Sequence, residues 1–548
     1  MNLKNNTRLW ITALLIVWGF DLLFWKQEPG ISFAIFVGLC LLGGLFLAFE
    51  EKLPPARASL LLLVPILFFS IMTFLREEPN TSAFNVLLTL VCMGLLALTF
   101  RGGKWLSYSL SDMVMGVFRL AGSALGRPIG TFGKRPVAAE SASPDLPSTA
   151  AETPQAPKRR SVLPLLRGLV LALPVVAVLA ALLASADPIF SKQLEGLLTW
   201  IRIENLPEYI FRLAYILVGG YLLVGVFLHA LTTSREEKLV GMEKPWLPPF
   251  LGWTEAIVIL AAVDLLFAFF VGVQFRYFFG GQANITLEGF TYAEYARRGF
   301  GELVAVAFLS LLLFFGLGTI TRREAGAQRS TFSVLGMGLV ALVAVILVSA
   351  FQRLLLYEDA YGFSRIRTQT HVFMIWLGAL LVATLVMEIL RKPRWFGLAA
   401  LTAALGFGVT LNLLNMDAFI VRENVKRAQA GAELDMAYLV GLSDDSIPQL
   451  VSSFNNADLP QSLRDDLGGA LACRTSINAY TAEHRADLNS LPRITFPGYH
   501  ISRARAASLL ASQAQALKAY PTSVVDDGIW QVTIRGEVRD CYAFRSID

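Results

Sequence analysis

The sequence predicts an all-α integral membrane protein of about eleven transmembrane helices. A C-terminal extracytoplasmic domain follows, mostly helical and ending in a β-hairpin. Three observations carry this. Of 548 residues, 55% are hydrophobic and only 16% charged, whereas soluble proteins carry about 25% charged residues. Apolar runs long enough to cross about 30 Å of hydrocarbon recur along the chain. Near residue 415 they stop, and turn clusters then separate short helical patterns. The formal charge of +5 is no nucleic-acid signature, because the basic residues sit in short loops between apolar runs, as topology signals do.

The runs lie at 9–25, 30–49, 59–75 and 84–100, then at 163–185, 209–231, 252–275, 303–320, 331–352, 370–390 and 396–415. Those at 9–25 and 59–75 are short enough to tilt or dip. Lys4 and Arg8 precede the first run without a small-residue cleavage site before the second, so the first span is expected to be retained. Alternate loops hold 22 Lys and Arg on the side of the N-terminus against 10 on the other. The positive-inside rule therefore puts the N-terminus in the cytoplasm, and an odd number of spans puts the tail outside.

Four units follow: a four-span module at 1–100, a cytoplasmic stretch at 101–162, a seven-span core at 163–415 and the tail at 416–548. Within the second, residues 105–125 place Leu106, Leu110, Met113, Val117 and Leu120 near one helical face, with Ser107 and Asp112 off it. That is an amphipathic helix on the inner surface. Residues 131–160, with five prolines, read as a flexible linker.

Helical patterns in the tail lie at 418–442, 447–454, 462–472 and 502–519. Residues 528–546 alternate as a hairpin with Arg535-Gly536 at its turn. Cys40 and Cys92 sit in spans as small buried hydrophobes. Cys473 and Cys541 both lie in the tail, where an oxidising compartment permits one disulfide.

Chemistry is expected first at residues 290–302, FTYAEYARRGFGE, read as a helix dipping into the membrane from the outer side. Tyr292, Tyr295, Gly299 and Glu302 share a stripe. Glu294, Arg298 and Glu302 follow at four-residue steps, so Arg298 can pair either way. Asp187 ends the fifth span. Arg353, Tyr357, Glu358, Asp359, Tyr361, Arg365 and Arg367 leave the ninth, with Gly362 as a break. On one side of the bilayer these make an outward-facing polar site or, equally, a salt-bridged collar holding helices together. Asp264, mid-run among Leu and Phe, is a candidate proton carrier, or a structural hydrogen-bonding group. Asp21 and Glu388 lie nearer span ends, as snorkelling groups do. His229 and His371 sit at opposite span ends, as interfacial histidines. Neither a metal site nor a cofactor is expected. GxxxxGK[ST], HExxH, GxSxG and CxxC are absent, which removes the usual support for nucleotide-driven transport, zinc proteolysis and hydrolase chemistry. No basic cluster interleaved with aromatics marks the tail for nucleic acid.

Four segments, LLASADPIF at 182–190, TYAEYARRGFGELVAVA at 291–307, RLLLYEDAYGFSRIR at 353–367 and HISRARAASLL at 500–510, carry a resemblance. They resemble the bacterial polytopic membrane family catalogued as domain of unknown function forty-one seventy-three, near its relative forty-one fifty-three. The likeness covers about 163–510, with the N-terminal module and linker less typical. It implies a multi-pass bacterial inner-membrane protein with an outward tail, and no activity.

Three functions fit. The leading one is an ion-coupled transporter or permease, with Asp264 and the Arg298/Glu302 group on its pathway. The second is a noncatalytic envelope sensor or scaffold, anchored in the lipid bilayer and recruiting a protein partner through residues 416–548. The third is a membrane transferase on a lipid-linked substrate, with Glu358, Asp359 or Asp187 as base or metal ligand and Arg365 and Arg367 holding phosphate.

Overall fold

The computed structural model describes residues 6–28, 30–132, 183, 187, 206–235, 239, 249–278, 300–322, 326–484, 496–525 and 529–542. Among these, ten helices are long and apolar enough to cross a membrane. They are α1 (Asn6–Phe24), α2 (Ser32–Glu50), α3 (Leu63–Leu75, with the short lead-in Arg57–Leu60), α4 (Pro79–Thr99), α6 (Leu206–Leu228), α7 (Trp253–Phe278), α8 (Phe300–Ile320), α9 (Gly326–Tyr361), α10 (Arg365–Ile389) and α11 (Phe396–Leu414). Each matches one expected apolar run. The remaining run, 163–185, falls outside the described residues apart from Leu183.

Contacts between helix ends sort the loops onto two faces. On one, Arg8 pairs with Glu50, Trp105 Nε1 donates to the Ala58 carbonyl (2.8 Å), and Arg101 donates to the Leu231 carbonyl (3.0 Å). On the other, Lys26 meets Glu208 (2.7 Å) and the Ile31 N–H donates to the Tyr499 carbonyl of the tail (3.0 Å). We call these the basic-loop face and the tail face. Thr131 stands on the first, where its hydroxyl accepts from Trp10 Nε1 (3.1 Å), and Glu208 on the second. The described chain therefore leaves on one face at 132 and returns on the other at 206.

Between the first two groups of spans lies α5 (Leu110–Gly126), started by a capping box in which Ser109 and Asp112 satisfy each other's backbone N–H. Asp112 is buried and also accepts from Arg394 (3.1 Å). Val114, Val117, Phe118 and Leu125 are exposed, an apolar stripe suited to lipid.

The ninth helix runs further than its apolar run at 331–352: α9 continues unbroken to Tyr361, 36 residues in all. At 1.5 Å per residue it is roughly 54 Å long, well beyond the hydrocarbon thickness. Its polar residues are accommodated because partners on neighbouring helices reach them, as described below. The chain turns at Gly362, whose φ of +80° is open to glycine and strained for other residues.

The apolar interior falls into clusters. One joins α1–α4 to α6 through Leu9, Ile16, Ile66, Cys92, Val224 and Phe227. A second joins α7–α10 through Leu260, Ala307, Val343, Leu354 and Leu381. Helix α11 packs between α4 and α10: Trp376 lies directly over Gly406, and Leu88 and Phe69 over Gly408.

The tail begins one residue after α11. Asn415, at φ 49° and ψ 79°, forms the only joint before α12 (Met416–Gln429); asparagine tolerates this left-handed conformation better than most residues. Then follow α13 (Met436–Val440), α14 (Ile447–Phe454), α15 (Gln461–His484) and α16 (Ile501–Leu517). An antiparallel sheet β1 (Thr522–Val525), β2 (Ile529–Ile534) and β3 (Glu537–Asp540), in the order β1-β2-β3, closes the domain. The expected hairpin is β2–β3, turning at Arg535 and Gly536, both at positive φ. The strand β1 lies outside the expected hairpin at 528–546. Ile420, Leu439, Leu450, Leu467, Leu471, Leu510, Val532 and Ile534 form the tail's own core. A disulfide joins Cys473 to Cys541 within it.

Candidate functional site

Among the described residues, many polar groups gather at the seam where the tail meets the bundle. The α3–α4 turn carries Glu77 and Glu78. Glu78 caps α4, accepting from the N–H groups of Asn80 (3.2 Å) and Thr81 (2.6 Å), with Pro79 at the first helical position. Against this turn lies the tail's SDDS segment, 443–446. Asp445 Oδ2 accepts the backbone N–H groups of Glu77 (2.7 Å) and Glu78 (3.1 Å), while its Oδ1 accepts from Ser502 (2.7 Å). In return, the Asp444 N–H donates to Glu77 Oε2 (3.1 Å). Arg503, at the start of α16, bridges Glu77 (3.0 Å) and Glu28 of the α1–α2 loop. At Gly30 an added Cβ would stand 2.6 Å from the backbone of Gly498 and Tyr499, so only glycine permits this approach.

On the far side of the seam, Arg365 Nε and Nη2 donate to Asp417 Oδ1 and Oδ2 (2.8 and 2.6 Å). Asp417, fully buried, also accepts from the backbone and hydroxyl of Ser443 (2.7 and 2.6 Å). Arg365 lies 3.8 Å from Glu78, which accepts from Gln369 (3.2 Å). Asn424 clasps the turn after Gly362, accepting from the Phe363 N–H and donating to its carbonyl (2.8 and 2.9 Å). Beneath the seam, Asn85 and Asn412 exchange two amide hydrogen bonds (3.0 and 2.6 Å) between α4 and α11.

Glu77 and His500 at the seam are shifted. Burial, then the Asp444 carboxylate, pushes the Glu77 carboxyl above its ordinary value. Burial, then Arg503, holds His500 below its ordinary value.

The residues singled out from sequence scatter around this arrangement. Arg365 is at its centre. Arg367 donates to the Gly362 carbonyl (2.5 Å) and lies 4.1 Å over the Tyr357 ring. Tyr361 is exposed. Asp359 takes part through its carbonyl, which accepts from Arg427 of the tail (2.6 Å). Arg353 and Glu358 face the bundle interior, 8% and 1% exposed. Arg353 and Ser349 donate to Gln274 of α7 (3.0 and 3.2 Å), and Glu358 lies 3.0 Å from His371 Nδ1. Glu302 is exposed in the first turn of α8. Asp187 is exposed, and its backbone N–H donates to the Leu183 carbonyl. Tyr292, Glu294, Tyr295, Arg298 and Gly299 lie outside the described residues. Asp264 stands apart, halfway along α7. Its Oδ1 is buried without a hydrogen-bond partner among the described residues, and its Oδ2 would lie 3.6 Å from a Cβ at Gly338 of α9.

Sequence reasoning missed Glu28, Glu77, Glu78, Asp417, Asp444, Asp445, His500 and Arg503. A readable signal existed for Glu78: a carboxylate before Pro79-Asn80-Thr81 is a helix-start pattern. Asp21 is no snorkelling group either. It is 2% exposed and pairs with Arg212 and Tyr215 of α6. Among the described residues no group of three or more His, Cys, Asp or Glu is placed to hold a metal ion.

Ten apolar helices and a folded tail seated on one face of their bundle define a multi-pass membrane protein. The chain belongs to the family described as Domain of unknown function (DUF4153), whose model matches residues 63–453. That match starts with α3, so it takes in part of the N-terminal module that looked less typical. It ends within α14, before the HISRARAASLL segment. No curated protein matches the chain, and no solved structure does.

Proposed function

We propose that this protein is a noncatalytic membrane platform of the bacterial envelope. In this reading the N-terminus is cytoplasmic, and the ten described spans with the expected one at 163–185 hold the tail in fixed pose on the extracytoplasmic side, where it engages a protein partner. The observation that carries the reading is the seam itself. Arg365, Glu77, Glu78 and Glu28 of the bundle are committed to Asp417, Asp444, Asp445 and Arg503, and groups so occupied bind the tail rather than a solute. The sheet offers a contact surface. Val524 and Val525 on β1 and Val538 on β3 are exposed on its two outer strands, and open strand edges accept added strands.

The test is site-specific photocrosslinking in cells from Val524 and Val538. Discrete adducts that vanish when Asp417→Ala undocks the tail are expected. Adducts absent from every exposed tail position would overturn the reading, and a reporter after Asp548 found in the cytosol would remove its orientation.

Asp264 keeps a second reading open, that of an ion-coupled transporter. A carboxyl group mid-membrane with one oxygen buried and without a described partner suits a proton carrier. Proton-coupled uptake in proteoliposomes that persists in Asp264→Asn would remove it. The transferase reading draws less support, since Glu358 is buried against His371.

A further inference from the structure

On the basic-loop face, away from the seam, α5 and the end of α6 flank an open notch of about 340 Å³. Arg119 and Ser123 of α5 and Arg127 just past its end line it at four-residue steps, and His229 and Thr233 line it from the other side. The second wall is a π-helical turn, His229–Thr233, a backbone form that recurs at functional sites. Ser123 Oγ and His229 Nδ1 are 2.8 Å apart. Arg127 is held from two directions, Nε donating to Ser123 Oγ (3.2 Å) and Nη1 to Thr232 Oγ1 (3.1 Å). A guanidinium has five N–H donors, so these bonds aim the group while leaving donors for a ligand.

Two further features describe the walls of the notch. His229 is 2% exposed, yet its Nε2 has no hydrogen-bond partner among the described residues. Its Nδ1 edge, bonded to Ser123, is the edge turned toward the wall that Arg127 shares. Gly122 and Gly126, one turn apart on the notch wall, would meet nothing within 4 Å if given a Cβ. Both are exposed, so this wall is open and side chains added there would narrow the notch.

We propose that this notch binds a phosphate group. Two arginines on one helical stripe, one aimed by its neighbours, suit the charge and forked geometry of a phosphate better than those of a neutral solute. The neighbouring stripe of Val114, Val117, Phe118 and Leu125 is exposed and apolar, which places the notch at headgroup depth for a helix lying in the interface. A phospholipid headgroup and a soluble phosphate ester share this chemistry, and the experiment separates them.

The full-length protein is placed in phosphatidylcholine nanodiscs, with or without phosphatidylglycerol. Bound lipid is counted by native mass spectrometry after delipidation. Inorganic phosphate is titrated in parallel and followed by phosphorus NMR line broadening. Arg127→Gln removes the aimed guanidinium. Gly126→Leu fills the notch without changing charge, and thermal unfolding checks that both variants fold. Retention of phosphatidylglycerol that falls about tenfold or more in both variants establishes a headgroup site. Phosphate broadening with the same sensitivity, and no retained phosphatidylglycerol, establishes a site for a soluble ester. Binding that is indifferent to both variants, or absent from both arms, overturns the proposal.

Discussion

Arg365 and Asp417 form a two-pronged ion pair, with N–O distances of 2.8 and 2.6 Å, between the first turn of a membrane helix and the first turn of the tail. Asp417 is fully buried and is also satisfied by Ser443. Removing one member of a buried pair leaves the other charge without compensation, a loss of about 3 kcal/mol or more. Asp417→Ala should therefore expose the tail to protease at concentrations that leave the wild type intact. Unchanged cleavage would mean that the pair adds nothing to docking.

The disulfide Cys473–Cys541 closes a loop of 68 residues. By the chain-entropy account, a loop of that length contributes about 4 kcal/mol to the stability of the tail. The double variant Cys473→Ser/Cys541→Ser should lower the unfolding temperature of the tail and leave the membrane bundle, monitored separately by hydrogen exchange, unaffected. Mass spectrometry under non-reducing conditions should find both thiols linked in the wild type.

Docking should depend on pH through His500. Its folded value lies below the ordinary 6.5, so the docked seam binds the proton less well than the free tail does. Docking is then at full strength above about pH 6.5 and weakens as pH falls from there through the depressed value. Glu77 acts in the opposite sense. Its folded value is raised above 4.5, so its burial opposes docking at neutral pH, and that penalty is relieved as pH falls through the raised value towards 4.5. Protease sensitivity of the tail measured against pH should show both limbs. His500→Gln should remove the first and Glu77→Gln the second.

Asp264 offers a stability test separate from transport. A polar group buried without a partner is unfavourable by about 1–3 kcal/mol. Asp264→Leu should therefore raise the thermal stability of the detergent-solubilised protein. A drop in unfolding temperature would show that the carboxyl group has a structural partner beyond the described residues.

Much of the membrane architecture is legible in the chain because hydrocarbon demands continuous apolar length, and length is a local property. Hence the runs for α1–α4 and α6–α11 stand out one by one. The hairpin at Arg535-Gly536 is local in the same way. The end of α9 was not legible. Arg353 and Glu358 look like loop residues until Gln274 and His371 are known to meet them, and neither partner is within ten positions. The seam was least legible of all. Arg503 is 475 residues from Glu28 and Asp445 is 368 from Glu77, and single-chain patterning carries no information about such pairs. Arg365 stands out as a charged group at a span end, whereas nothing around its partner Asp417 marks it beyond the start of the tail.

The joint at Asn415 bears on how force could pass through the molecule. A single left-handed residue links α11 to α12, and α11 is tied sideways to α4 by the Asn85–Asn412 amide pair. With so short a joint, a pull or twist applied to the tail passes directly to α11 and, through the amide pair, to α4. Such a linkage is a crank rather than a tether, joining the orientation of α12 to that of α11.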